Sequence, residues 1–477
     1  MKSRSNLLRF YLLLLYAAFF PEIQAAEKKP ESNSQAGWAE IEITPPLGIA
    51  LGGRGAPATA SKKVLDPLFA QVLYLKDSND TGFVLVSLDL ISLPHELSDK
   101  IRLAIVHELG VPWNLIVLNS SHTHSGPYMI RSLMAGVGPA PEIEIEYFKK
   151  LEQKIISATR DAAKSLTPVR VEVFNGTSEV AINRRGKNKE GKRSLLPDAN
   201  GPFDEKLWVM KLTPQNNQSP AVIFSYACHP VIVYSYNFSA ISADFPGVTR
   251  NVLREKLGAK VHAQFVQGLA GDVRPRVVAD LKNKRFRAAT SSDLQKAGND
   301  LANNVLSALK TKGEPLSLNI AGASDRPLLL RDKPPDRKIY EQMKSEVTTN
   351  QFHNALNDYW LSCYDSGFGF AKADAWHVGL IRLSDKQWVC YFAVEPCVEW
   401  RVKISQWLPG KNIVPWGYCQ EGISYLPTAE MLSEGGYEVL ESNRARLSTP
   451  AQHAAGINDA VRESLLRQLS FINTQVE

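Results

Sequence analysis

Short apolar runs of strand length alternate with amphipathic helical stretches along this 477-residue chain, and that order restricts it to an α/β architecture. Strands are expected near 39–44, 69–77, 83–89, 114–119, 169–174, 207–213, 221–227, 262–266, 377–383 and 388–394, where apolar residues are bounded by Gly, Pro and Asn. Helical spacing predicts helices near 96–109, 144–166, 247–257, 291–311, 337–357 and 451–471. A mixed sheet in one continuous domain follows, because neither an internal repeat nor a Pro/Ser-rich linker divides the chain. A hydrophobic content of 44%, 22% charged residues and 9 Trp are enough for a large core and exclude a coiled coil, a collagen or a disordered chain.

The opening MKSRSNLLRFYLLLLYAAFFPEIQAAE sets Lys2, Arg4 and Arg9 ahead of an apolar run that reaches Phe20, then small residues at Ala25 and Ala26. This is the pattern of a secretory signal peptide, and the run is too short for a comfortable membrane span. The expected organisation is a signal peptide at 1–25, a polar linker at 26–36 and one continuous domain at 37–477, exported to the periplasm or beyond the cell. Loss of the leader removes three bases and one acid, so the net charge falls from +6 to +4. That surplus is too small to argue for nucleic acid or another polyanion. The five cysteines, Cys228, Cys363, Cys390, Cys397 and Cys419, contain no CxxC pair, which excludes a zinc ribbon. Bridges among the last four stay open in an oxidising compartment, with at least one thiol left over.

The chemistry concentrates at strand ends. In Leu115–Tyr128, LIVLNSSHTHSGPY, a buried-type strand runs into His122 and His124. Residues two apart on an extended chain point the same way, so both rings are expected to face one pocket. Neutral imidazole is a favoured metal ligand; two histidines satisfied within a loop are the alternative. Ser225–Pro230, SYACHP, repeats the arrangement with His229, and Tyr391–Pro396, YFAVEP, ends a third apolar strand on Glu395. A carboxylate there is costly to bury unless it meets a metal or a base. Three distant segments that each end a strand on a ligand-type residue point to one metal centre. The basic run from Arg184 to Arg193 reads as a solvated loop at a cleft mouth rather than a nucleic-acid patch.

The segments GWAEIEITPPLG, SSHTHSGP, AINRR, CHP, QGLAGDVRP, the Glu395 strand and YLPT with GGYE stand in the order found in neutral ceramidases, and the chain resembles bacterial neutral/alkaline non-lysosomal ceramidases over most of residues 37–440. The resemblance implies a mixed-sheet zinc hydrolase catalytic domain that cleaves the N-acyl amide bond of ceramide through a zinc-activated water. By position it makes His122, His229, Glu395 and Tyr425 the zinc ligands. His124 and Tyr437, the latter twelve residues after Tyr425, would contact the scissile group, and Arg184 would bind substrate. The substrate class it implies is a small-molecule or lipid amide, with peripheral membrane contact compatible, and no obligate protein partner.

Two departures stand out. Arg274 occupies the catalytic position of GDVRP where ceramidases carry a Ser. Arginine cannot form an acyl-enzyme, but zinc can generate hydroxide without a protein nucleophile. Its planar fork suits an anionic group in the pocket, with an ion pair to Asp244 or Asp272 as the alternative. The chain also stops after its last predicted helix, where ceramidases proper continue into an immunoglobulin-like domain. A zinc hydrolase acting on an anionic ester or amide, and a non-catalytic ligand-binding protein on the same fold, are the competing readings.

Overall fold

The computed structural model describes residues 34–475 except 54–58, 130–138, 217, 346–350, 368–369, 423 and 446–450. The predicted signal peptide and most of the predicted linker lie outside the described residues. Residues from Ser34 onward form one compact unit.

A nine-stranded mixed sheet organises that unit. Its strands are β1 (Gln35–Glu42), β2 (Phe69–Lys76), β3 (Gly82–Leu88), β4 (Ile116–Ser120), β5 (Thr167–Thr177), β6 (Lys206–Pro214), β7 (Ala221–Tyr226) and β8 (His262–Gln267). They run in the order β8-β7-β6-β5-β1-β2-β3-β4, and the short strand Glu314–Leu316 adds to β5. The pairs β3–β4 and β7–β8 are parallel, and the other neighbours are antiparallel. Every residue of β3 and β4 is buried, as continuous apolar runs covered on both faces require. In β5 buried Val169, Val171 and Val173 alternate with Arg170 and Glu172, so this strand keeps one face toward water.

Helices cover the sheet. Helix α1 (His95–Leu109) packs against α2 (Glu142–Lys164), whose Tyr147, Leu151, Ile155, Ala158 and Ala162 make a stripe against β1 and β2. Helix α3 (Asp244–Leu257) packs on α4 (Ser291–Ala308). A reciprocal cap starts α4: Thr290 Oγ1 accepts the Asp293 N–H, and the Asp293 carboxylate accepts the Thr290 N–H at 2.8 Å. A second, four-stranded sheet follows, β9 (Ala321–Asp325), β10 (Val378–Arg382), β11 (Gln387–Phe392) and β12 (Asn412–Trp416), in that order, with α5 (Ile457–Thr474) against β9 and β10.

The large sheet curls until its edge strand β8 comes back over β2, β3 and β4. Gln264 of β8 donates to Gln71 O, Leu85 O and Ser87 Oγ at 3.3, 3.4 and 3.0 Å. The Asn119 amide of β4 accepts the Gln267 N–H at 2.8 Å and donates to Gln267 O at 3.3 Å. Such buried amides are tolerated because their hydrogen bonds are made. The curl brings the loops that follow β4 and β7 to the same place.

The ten strands expected from sequence are present, and β1 begins at Gln35, inside the predicted linker. Two strands of the second sheet, β9 and β12, carry little signal: AGASD has no β-branched or aromatic residue, and NIVPW is short and holds Pro415. The helix expected over 337–357 is two helices, Arg337–Ser345 and Gln351–Ser366. Residues 346–350, between them in sequence, lie outside the described residues. The last helix starts after Gly456 rather than at 451. All five cysteines are free thiols, so the bridges left open among the last four are not formed. Among the described residues no helix is long and apolar enough to cross a membrane.

Candidate active site

Beyond Ser120 the chain leaves β4 and turns sharply: His122 has φ +66°, a left-handed conformation that non-glycine residues adopt at a cost. The expected strand alternation therefore does not bring the two histidines together; a strained turn does. His122 N–H donates to Leu90 O, and His124 N–H donates to Pro230 O in the loop that carries His229. The ring centres of His122, His124 and His229 are 4.8 to 5.6 Å apart.

Each of the three rings is held the same way. Nδ1 lies 2.7 Å from Ile91 O in His122, 2.9 Å from Gly53 O in His124 and 2.6 Å from Ala270 O in His229. A carbonyl can only accept, so every Nδ1 carries its proton, and in a neutral ring Nε2 is left with a lone pair. Burial first, with neighbouring histidines adding to it, holds His124 well below the usual imidazole range; burial and Arg184 push His229 down to about 3. Gly53 lets its carbonyl come this close. It has φ +69°, and a Cβ there would fall 2.4 Å from His124 Nδ1.

Glu395 completes the group. Its Oε2 lies 3.2 Å from His122 Nε2 and 3.5 Å from His229 Nε2, yet neither Glu395 Oε2 nor His229 Nε2 makes a hydrogen bond. A carboxylate oxygen facing the lone pair of a neutral ring is repulsive unless a cation lies between them. Four-coordinate sites with ligand distances of about 2.0–2.1 Å place neighbouring donors about 3.3–3.4 Å apart. The two observed separations bracket that spacing. The ligand nitrogens of His122, His124 and His229 all lie within 4.8 Å of one another and can hold a metal ion.

Two short parallel strands bring Tyr425 alongside Glu395 in register. Its hydroxyl accepts from Arg184 Nη2 at 3.0 Å, and its ring centre lies 5.5 Å from that of Tyr437. Burial and Glu395 raise the Tyr425 hydroxyl well above its usual value, against the opposing pull of Arg184. Arg184 is itself buried, with Nε bonded to Glu438 Oε1 at 2.8 Å, while Arg185 Nη1 takes the other oxygen of Glu438 at 2.8 Å. The basic run is thus not simply a solvated loop. Arg184 and Arg185 are buried, Arg193 pairs with Glu434, and Lys187, Lys189 and Lys192 are the exposed bases of the run.

Exposure divides the group by depth. His122, His229, Glu395, Tyr425 and Arg184 are buried, whereas His124, Tyr437 and Arg274 are half-buried and form the open side. Neither Asp244 nor Asp272 forms an ion pair with Arg274. The Asp244 carboxylate accepts the backbone N–H groups of Ile232, Val233 and Phe245, and Asp272 accepts from Asn183 Nδ2 and the Val398 N–H.

Four residues at the site escaped sequence reasoning. Tyr418 lies with its ring 4.4 Å from His122 and has φ +56°; Tyr234 lies 5.6 Å from His124. Glu438 anchors the arginines. Gln267 ties the histidine loops together: its Nε2 donates to Ser121 O at 2.8 Å and Cys228 O at 2.9 Å, and its Oε1 accepts the Cys228 N–H at 3.3 Å. One amide therefore fixes the residues that precede His122 and His229. Gln267 and Glu438 stand in the QGLAGDVRP and GGYE segments quoted above, but neither was singled out.

The sequence profile described as neutral/alkaline non-lysosomal ceramidase, N-terminal, matches residues 35–303. His122, His124, Arg184, His229 and Arg274 fall inside that span, and Glu395, Tyr425 and Tyr437 lie beyond it. Among solved structures the fold is similar to neutral ceramidase from Pseudomonas aeruginosa, with a TM-score of 0.68 and 16% identity over 90% of this chain and 73% of that one. A ceramidase complexed with C2 gives a TM-score of 0.65 and 14% identity over 90% and 74%. At such identities these structures speak to the fold, whereas the profile spans more than half of the sequence: the chain belongs to the neutral/alkaline non-lysosomal ceramidase family.

Proposed function

We propose that this protein is an exported zinc-dependent hydrolase that cleaves the N-acyl amide bond of ceramide or a related N-acyl compound. The observation that carries the reading is the approach of His122 Nε2 and His229 Nε2 to Glu395 Oε2 at 3.2 and 3.5 Å, with the lone pairs turned inward by carbonyl-bound Nδ1 atoms. His122, His229 and Glu395, with Tyr425 beside them, would hold the ion. Bound zinc supplies Lewis acidity and a water made acidic near neutral pH.

The chain's own groups do the rest. Gly53 O fixes the His124 ring so that Nε2 presents an acceptor on the open side, where it can take a proton and pass it to the leaving amine. The Tyr437 hydroxyl donates to the oxygen that gains charge as the carbonyl is attacked. Arg184, anchored by Glu438, holds the Tyr425 hydroxyl and sets the two tyrosine rings; the family resemblance adds a substrate contact for the same residue. The leader-like sequence at 1–25 supports export.

Hydrolysis of a panel of N-acyl amides by purified protein tests the reading directly. Turnover that a chelator abolishes and zinc restores is expected. Zinc-loaded, folded protein that cleaves no N-acyl amide would overturn it.

A further inference from the structure

Arg274 is the member of the open side whose chemistry the hydrolytic reading leaves unused. The short strand Val273–Pro275 pairs with Ala181–Asn183, and Val273 O accepts the His229 N–H at 3.3 Å. Arg274 is thus fixed one residue from a carbonyl that holds a candidate metal ligand. Its Cζ lies 4.2 Å from the Phe286 ring centre, and it interacts electrostatically with Tyr234, whose ring is 5.6 Å from that of His124.

A guanidinium keeps its charge at any physiological pH, and a cation withdrawn from water is costly unless paired. Among the described residues Arg274 has no carboxylate partner, since Asp244 and Asp272 are engaged elsewhere. Arg184 acts on it as a like charge. Arg274 Nε is buried and makes no hydrogen bond. The face stacked on Phe286 leaves the donor edges to meet a planar or tetrahedral oxyanion, with the Tyr234 hydroxyl adding a further donor.

We propose that Arg274 and Tyr234 form an oxyanion-binding subsite beside the reaction centre, and that the substrate is an N-acyl compound bearing a carboxylate, sulfonate or phosphate group. The inference rests on the hydrolase reading above and narrows its substrate class.

The test compares N-dodecanoyl glycine, N-dodecanoyl taurine and N-dodecanoyl phosphoethanolamine with neutral N-dodecanoyl ethanolamine on the zinc-loaded full chain. At least one anionic member should exceed the neutral one in kcat/KM by about tenfold or more. Arg274→Gln should reduce that preference by about 10–100-fold, and Arg274→Lys should restore part of it. Tyr234→Phe, which deletes one hydroxyl, should lower the same ratio several-fold and serves if the arginine variant fails to fold. Equal losses on both classes, or a wild type that prefers the neutral amide, would overturn the subsite. Calorimetric titration of the same compounds separates the two readings. If nothing is turned over, the hydrolase reading fails, while anion binding that weakens at least tenfold in Arg274→Gln still supports the subsite. Binding absent, or unchanged in the variant, overturns it.

Discussion

Gln267→Met should loosen the metal centre without touching a ligand. Methionine keeps the length of the side chain but deletes the donor to Ser121 O and Cys228 O and the acceptor for the Cys228 N–H. Each such bond is worth about 1 kcal/mol net, and a buried polar group left unpaired costs about 1–3 kcal/mol. Three groups orphaned together set a loss of about 3–9 kcal/mol, a large part of a stability of about 5–15 kcal/mol. Because the two carbonyls precede His122 and His229, zinc affinity should fall by about 10–100-fold, as it does when a support behind a ligand is removed. Urea titration and competition with a chromogenic chelator measure the two effects. Gln264→Met is the control: it deletes a buried amide of the same strand that bonds Gln71 O, Leu85 O and Ser87 Oγ, away from the histidine loops. It should lose comparable stability and keep its zinc. If Gln267→Met loses stability yet binds zinc as the wild type does, the clamp is structural and the argument from it is wrong.

Purified protein should hold about one zinc per chain. His122→Ala and His229→Ala should lose most of it, whereas His124→Ala should retain the ion and lose turnover; metal analysis that shows full occupancy in all three removes this centre. Tyr437→Phe should keep zinc and lose about 10²–10³ in kcat, as for a deleted oxyanion donor, while Tyr425→Phe should weaken metal binding. The opposite pattern would exchange the two roles. The Asp293 carboxyl is pushed down to about 2, first by Arg287, so its contribution to stability is present above about pH 4 and lost as pH falls through 2. Asp293→Asn should flatten the acid-unfolding curve in that window, and an unchanged curve would deny the cap that role.

His122, His229 and Glu395 were legible because each follows an apolar strand, a place where a ligand-type residue has no other evident purpose. The ten strands were legible for a related reason: burial on one or both faces imprints its period on sequence. The closing of β8 over β2, β3 and β4 leaves no such imprint, since it depends on Gln264 and Asn119 meeting backbone from other strands. Tyr418 was hidden because an aromatic residue between Gly417 and Cys419 reads as core, and its positive φ has no sequence mark. The same holds for His122, where alternation gave the right pair of residues through the wrong geometry. Glu438 and Tyr234 looked like ordinary surface or core positions until Arg184 and Arg274 stood beside them.

The centre is assembled from remote pieces of chain: Gln267 reaches back 146 residues to Ser121, and Arg184 bonds Glu438 254 residues further on. Contacts closed over such distances form late, after local helices and hairpins have paid their entropy. A nascent chain can therefore own most of its strands, and all three histidines of the site, before Glu395, Tyr425 and Glu438 have been made.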